Sequence, residues 1–218
     1  MKTNALLCLG LTAGLLLGGC ASKTTQPEQY SGFLGDYSQL KPATSASGAP
    51  VLRWVAPGMD LRNYASVVVE KPVFYPTPKA SDQVNQATLD QIATYLQQAM
   101  RRELQGRMTV LDQANADSLV LRSAITAVDV SAQGLKPYEV IPIALVVAAA
   151  TTAAGTRDHD TEIYVEMEAL DARTSQPVAK VVRKGTGLEL ENDSTKLSLD
   201  ALKPVLNTWA IDARNFRP

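Results

Sequence analysis

A single histidine, two cysteines and a 6% aromatic content limit what this chain of 218 residues can do. One histidine cannot build a zinc site of several imidazoles, and it would have to serve alone as a general base. That residue, His159, lies in Arg157-Asp158-His159-Asp160, a polar stretch ahead of a strand pattern. Solvated loop is the plainer reading, and metal binding with Asp158 and Asp160 the sharper one. No metal ligand, cofactor-binding residue or catalytic residue is assigned. The G-x-S-x-G elbow of a serine hydrolase is absent. Gly185-Thr186-Gly187 lacks the further glycine and the helix of a phosphate loop, so it reads as the end of a strand. Lys and Arg number 21 against 22 Asp and Glu, with no basic cluster, so nucleic acid is not an expected partner. Few aromatics weigh against a sugar-stacking platform. No apolar run reaches the ~20 residues of a membrane span.

What is present begins at the first residue. Lys2 gives a positive start, residues 5–17 form an apolar run, and Leu17-Gly18-Gly19-Cys20 closes it. This is the layout of a secretion signal. Its last four residues resemble the lipobox of bacterial lipoproteins. The resemblance implies cleavage before Cys20, diacylglycerol on its sulfur and an acylated new N-terminus. Several acyl chains hold a protein on a bilayer nearly permanently, at ~0.8 kcal/mol per buried methylene. Ala21 and Ser22 follow where an Asp would favour inner-membrane retention, which implies the outer membrane, facing the periplasm. Loss of residues 1–19 removes Cys8 and leaves Cys20 alone. An exported domain without disulfides relies on its core, and residues 50–218 are long enough to supply one.

Residues 20–49 are rich in Ser, Thr, Gln, Ala, Pro and Gly and read as a lipidated N-terminus with a flexible linker. Within it, Phe33, Leu34, Tyr37 and Leu40 fit one side of a helical turn. That piece either docks on the domain or is a partner-binding peptide. Strands are expected at 51–55, 65–70, 108–111, 119–130, 161–170 and 178–184. In the fourth of these, Leu119, Leu121, Ile125 and Ala127 share one face. A helix capped by Ser81 is expected over 82–105, with Leu89, Ile92, Leu96, Ala99, Met100 and Leu104 as its stripe. A second, capped by Asp200 with Pro204 in its first turn, buries Leu202, Val205, Leu206, Trp209, Ala213 and Phe216. The fold class is α+β: one domain over 50–218, a largely antiparallel sheet with two main helices packed on it, order ββαββββα.

Two segments invite a functional reading. Val140 to Ala154 is uncharged and rich in Ala and Thr, either a buried helix or crossover that fills the core or a small-residue surface meeting a partner or membrane. Glu162, Glu166 and Glu168 share one strand face. Three like charges on a wet face are commoner than a catalytic dyad, and Arg183 or Lys184 on the neighbouring strand is placed to pair with them.

Several blocks together resemble a family of uncharacterised proteobacterial outer-membrane lipoproteins, a domain of unknown function. They are Ser31-Gly32-Phe33-Leu34 with Tyr37 and Leu40, the Trp54 strand with Pro57-Gly58, and Tyr64. Further along come the Pro142 segment ending in Gly155, then Glu166, Glu168, Asp171 and Thr174. The family pattern often has Thr-Gly at the hairpin, where this chain has Thr174-Ser175. The expectation is a non-enzymatic, membrane-anchored binding or assembly component of the cell envelope, with an envelope protein as partner. A rival reading is a hydrolase of peptidoglycan or lipid using two of Glu162, Glu166, Glu168 and Asp171. A third is a homo-oligomer assembled through residues 140–154.

Overall fold

The computed structural model describes residues 24–77, 85–132, 159–191 and 196–218. The signal segment, Cys20, Ser81, Asp158 and residues 140–154 lie outside them. Eight strands form one sheet: β1 (Lys41–Thr44), β2 (Pro50–Val55), β3 (Ser66–Val69), β4 (Val73–Phe74), β5 (Thr109–Leu111), β6 (Ser118–Ala132), β7 (His159–Asp171) and β8 (Pro177–Thr186). Helices α1 (Gln86–Gln105) and α2 (Leu199–Arg214) pack on it. The sheet order is β1-β2-β8-β7-β6-β3-β5, with β4 also pairing to β6. The expected order over 50–218 holds, with two-residue β4 as an addition. The chain is an α+β domain with a mostly antiparallel sheet. Among the described residues, only β3, β4 and β5 join it in parallel pairs.

Periodicity decides the core. Every residue of the stripe expected on α1 is buried, from Leu89 to Leu104. Each buried Leu, Ile or Met there contributes roughly 1.5–3 kcal/mol of transfer free energy. On α2, Leu202, Leu206 and Trp209 are buried as expected, against Ile163, Val165 and Met167 of the same core, whereas Val205, Ala213 and Phe216 are only half-buried. The caps differ from the expected ones. Asn85, whose side chain accepts from Thr88 N–H, starts α1 four residues after Ser81. Ser198 starts α2, so Asp200 sits inside the first turn and Pro204 beyond it. Pro204 is exposed, which leaves the carbonyl it cannot reach free to find water.

A bulge in β6 corrects one face assignment. The β6–β7 register shifts between Ile125 and Ala127, so Ala127 pairs with Tyr164 and Val128 with Ile163. The extra residue, Thr126, turns Ala127 away from the core and Val128 into it. The β7–β8 hairpin is as expected, and its turn has one strained position. Ser175 carries φ +58°, the left-handed region that favours glycine. Ser175→Gly is expected to stabilise the domain by about 0.5 kcal/mol, the relief partly offset by a freer unfolded chain. Thermal unfolding reads this as a rise of roughly 1–2 °C.

The linker reading of residues 20–49 needs correction over its described part. β1 pairs antiparallel with β2 from Lys41↔Arg53 to Thr44↔Pro50, and Leu34 is buried against Leu52 and Val182. The sheet is therefore covered on both faces, by two helices on one and by residues 30–40 on the other. Those residues are not a helical turn. Gly32 and Gly35 take φ of +95° and +68°, and short turns bonded Gly35 N–H to Gly32 O and Leu40 N–H to Tyr37 O replace it.

Candidate functional site

Two of the three glutamates in the row on β7 are not on a wet face; Glu162 stays partly exposed. Glu166 is 1% exposed and Glu168 7%. Sequence alternation correctly put them opposite the core, but what covers them comes from 129 to 135 residues earlier in the chain. Residues 30–40 lie across the strands as a strap, and Glu166 holds it. Its carboxylate accepts from Ser31 N–H at 2.7 Å, Ser31 Oγ at 2.8 Å and Tyr37 Oη at 2.6 Å. The Tyr37 hydroxyl in turn accepts from the N–H groups of Gly32 and Leu34. Burial, then its bond to Glu166, pushes the Tyr37 hydroxyl up to about 12. It keeps its proton and remains a donor. A buried carboxylate held by several strong hydrogen bonds is stable only while those donors stay.

Other contacts fasten the strap's edges. Tyr30 stacks on Tyr37 with ring centroids 4.4 Å apart. Lys180 donates to the carbonyls of Leu34 and Asp36. Arg122 lies over the Phe33 ring at 5.6 Å and reaches Glu168 at 3.4 Å. Burial pushes the Glu168 carboxyl up, and Arg122 opposes the shift.

The four carboxylates of the hydrolase reading are thus occupied separately. Glu162 pairs with Lys184 at 3.2 Å, one of the two cations expected to do so. Arg183 does not join it. Adjacent residues on a strand face opposite ways, and Arg183 turns to the helix side, where it meets Asp212 of α2 at 2.8 Å. Asp171 organises the hairpin turn: its Oδ1 accepts from Arg173 and Thr174 N–H, and Tyr64 donates to its Oδ2. Those bonds, Thr174 N–H foremost, hold its carboxyl below the usual range. Among the described residues, no three His, Cys, Asp or Glu side chains converge as a metal site. No helix there is long and apolar enough to cross a membrane.

Gly185 and Gly187 have a packing explanation. A Cβ on Gly185 would overlap Val205 Cγ2 and sit 2.9 Å from Trp209 Cζ2; one on Gly187 would sit 2.7 Å from the Ala201 carbonyl oxygen. They let α2 approach the end of β8. Sequence reading missed the strap's latch and the Arg183–Asp212 pair. The one signal for the pair was Asp212 within the apolar side of α2, three residues past Trp209.

Residues 29–213 match the family described as protein of unknown function (DUF3313). The chain belongs to that family. The match begins at residue 29, just ahead of the strap, rather than at residue 50, in keeping with a strap that is part of the domain. Over 217 residues, 99% of this chain and 98% of the relative, it is 47% identical to the uncharacterized lipoprotein YdcL of Escherichia coli (strain K12). The same identity holds for YdcL of Escherichia coli O157:H7. Solved structures are more distant. A PelC dodecamer from Paraburkholderia phytofirmans is 11% identical, covering 74% of this chain and 96% of that one at a TM-score of 0.38. A putative neuraminyllactose-binding hemagglutinin homolog from Helicobacter pylori is 10% identical, covering 71% and 80%, also at 0.38. Likeness at that level does not extend to what those proteins bind or how they assemble.

The latch makes a local prediction. Glu166→Gln puts an amide donor where donors already converge, and is expected to loosen the strap by about 2 kcal/mol. Hydrogen exchange at residues 31–37 should quicken while α1 keeps its protection. Equal acceleration in both would mean that the strap and the core open together.

Proposed function

We propose that this protein is a lipoprotein anchored through Cys20 to the outer membrane, facing the periplasm, where it is a non-enzymatic binding or assembly component of the envelope. The latch at Glu166 is the observation that supports this reading. It commits the central carboxylate of β7 to holding the chain's own N-terminal segment. On this reading the lipidated end leads into the domain beside the strap. The ten residue steps from Cys20 to Tyr30 span at most roughly 35 Å. The strapped face is therefore held close to the bilayer, and the helical face is left to meet a partner. The relative's name as a lipoprotein supports the same anchoring.

Two measurements test it. Cys20→Ala is expected to release the protein from the membrane fraction; unchanged sedimentation with the outer membrane would overturn the anchor. A photo-cross-linking residue at Ile211 on α2, which is 40% exposed, should give a discrete adduct in intact cells. A chain that stays monomeric and free of adducts there would overturn the binding role.

A further inference from the structure

The helical face does not close completely. A cavity of about 680 Å³ lies between the sheet, the last turns of both helices and the C-terminal residues. That is within the size range of small-molecule sites. Its interior is apolar. Met59, Met100, Met108 and Met167 line it, four of the chain's five methionines. Methionine is the side chain that best adapts to a flexible apolar guest.

The rest of the lining carries an excess of positive charge, with Glu168 and Asp212 set against Lys180 and four arginines. Arg53, Arg107, Arg183 and Arg217 all contribute to it. Arg53 donates only to the Arg217 carbonyl and lies over the Phe216 ring; Arg107 donates to the carbonyls of Arg214 and Phe216. Neither meets a carboxylate among the described residues. The acidic residues in the lining are already engaged, Asp212 by Arg183 and Glu168 by Arg122. Arg183 is 6% exposed, and its Nε has no hydrogen-bond partner. A buried guanidinium with a spare donor, beside two arginines whose side chains hold only carbonyls, offers donors suited to an anion next to an apolar space.

We propose that this cavity binds a single-chain amphiphile with an anionic head, its tail among the methionines and its carboxylate or phosphate at the arginines. This goes beyond the anchoring and partner-binding role and stands without it.

The full-length lipidated protein in nanodiscs, carrying Trp54→Phe so that Trp209 of the cavity wall is its sole tryptophan, is titrated with dansyl-undecanoate against empty nanodiscs. Saturable energy transfer from Trp209 is expected. Laurate and dodecyl phosphate are the competitors, and the better of the two identifies the head group. Dodecylamine, with the same tail and the opposite charge, should compete at least tenfold more weakly. Arg53→Glu with Arg107→Glu, both at the cavity's rim, should weaken the probe at least tenfold. Transfer that does not saturate, or competition by dodecylamine equal to that by laurate, would overturn the proposal. So would unchanged affinity in the double variant. The dodecylamine comparison uses the parent protein, so it decides even if the double variant does not fold.

Discussion

Asp212→Ala is expected to destabilise the domain by about 3–5 kcal/mol, because it leaves a guanidinium buried without its counter-ion. Arg183 and Asp212 are 7% and 6% exposed as side chains and 2.8 Å apart. Arg183 lies over the Trp209 ring at 4.9 Å, so it cannot swing to water without opening the packing of α2. Burial already draws the Arg183 guanidinium below its ordinary value, and Asp212 is what opposes that shift. Remove the carboxylate and only the unfavourable part remains. Asp212 also accepts from Ser47 N–H at 2.6 Å and Ser47 Oγ at 3.0 Å, but Ser47 is exposed and water replaces those bonds at small cost. The loss should therefore trace to Arg183. The control is Arg183→Met with Asp212→Leu, which removes both charges and keeps volume. It is expected to stay within about 2 kcal/mol of the parent. Denaturant unfolding of the three proteins checks this. A double variant as unstable as the single one would show that the pair acts through shape rather than charge.

How much of this was legible in the sequence depends on how far each interaction reaches along the chain. The helix stripes and the β7–β8 hairpin were legible because their periods are local. Spacing of three and four on α1, and of two on β7, names the buried faces with no knowledge of neighbours. Caps were read to within a few residues: several polar residues could each start a helix, and packing chose Asn85 and Ser198. The bulge at Thr126 left no signal, since a single extra residue shows only against a partner strand. The face of Glu166 was read by its chemistry, and chemistry alone says that a row of glutamates is wet. What buries it is Ser31 and Tyr37, 135 and 129 residues away. Composition disguised that segment, because the glycines and polar residues that make a linker are also those that make tight turns against a sheet. Its apolar members, Phe33, Leu34, Tyr37 and Leu40, were the visible clue, and they pack where the docking reading put them.

Gly185→Ala is the other change with a large expected effect, about 3 kcal/mol, from a single methyl group. Overpacking costs typically 1–3 kcal/mol when neighbours can shift, and here they are poorly able to. The new Cβ would overlap Val205 Cγ2 and press on Trp209 from 2.9 Å. Trp209 is 2% exposed and lies under Arg183. Gly187 binds the same helix one turn earlier, and Leu188 N–H donates to the Ala201 carbonyl at 2.8 Å. The helix is thus fixed at both points and cannot tilt away from one alone. A fall in Tm of roughly 6–12 °C is expected. Val205 is half-buried, so Val205→Ala alone should cost only about 1 kcal/mol. In the Gly185→Ala background the same change removes the worse overlap, so it should recover part of the loss and reverse sign from destabilising to stabilising. Full recovery is not expected, because the Trp209 contact persists. If Val205→Ala costs the same in both backgrounds, the two side chains do not compete for one space, and the close approach of α2 to β8 is not what selects glycine at 185.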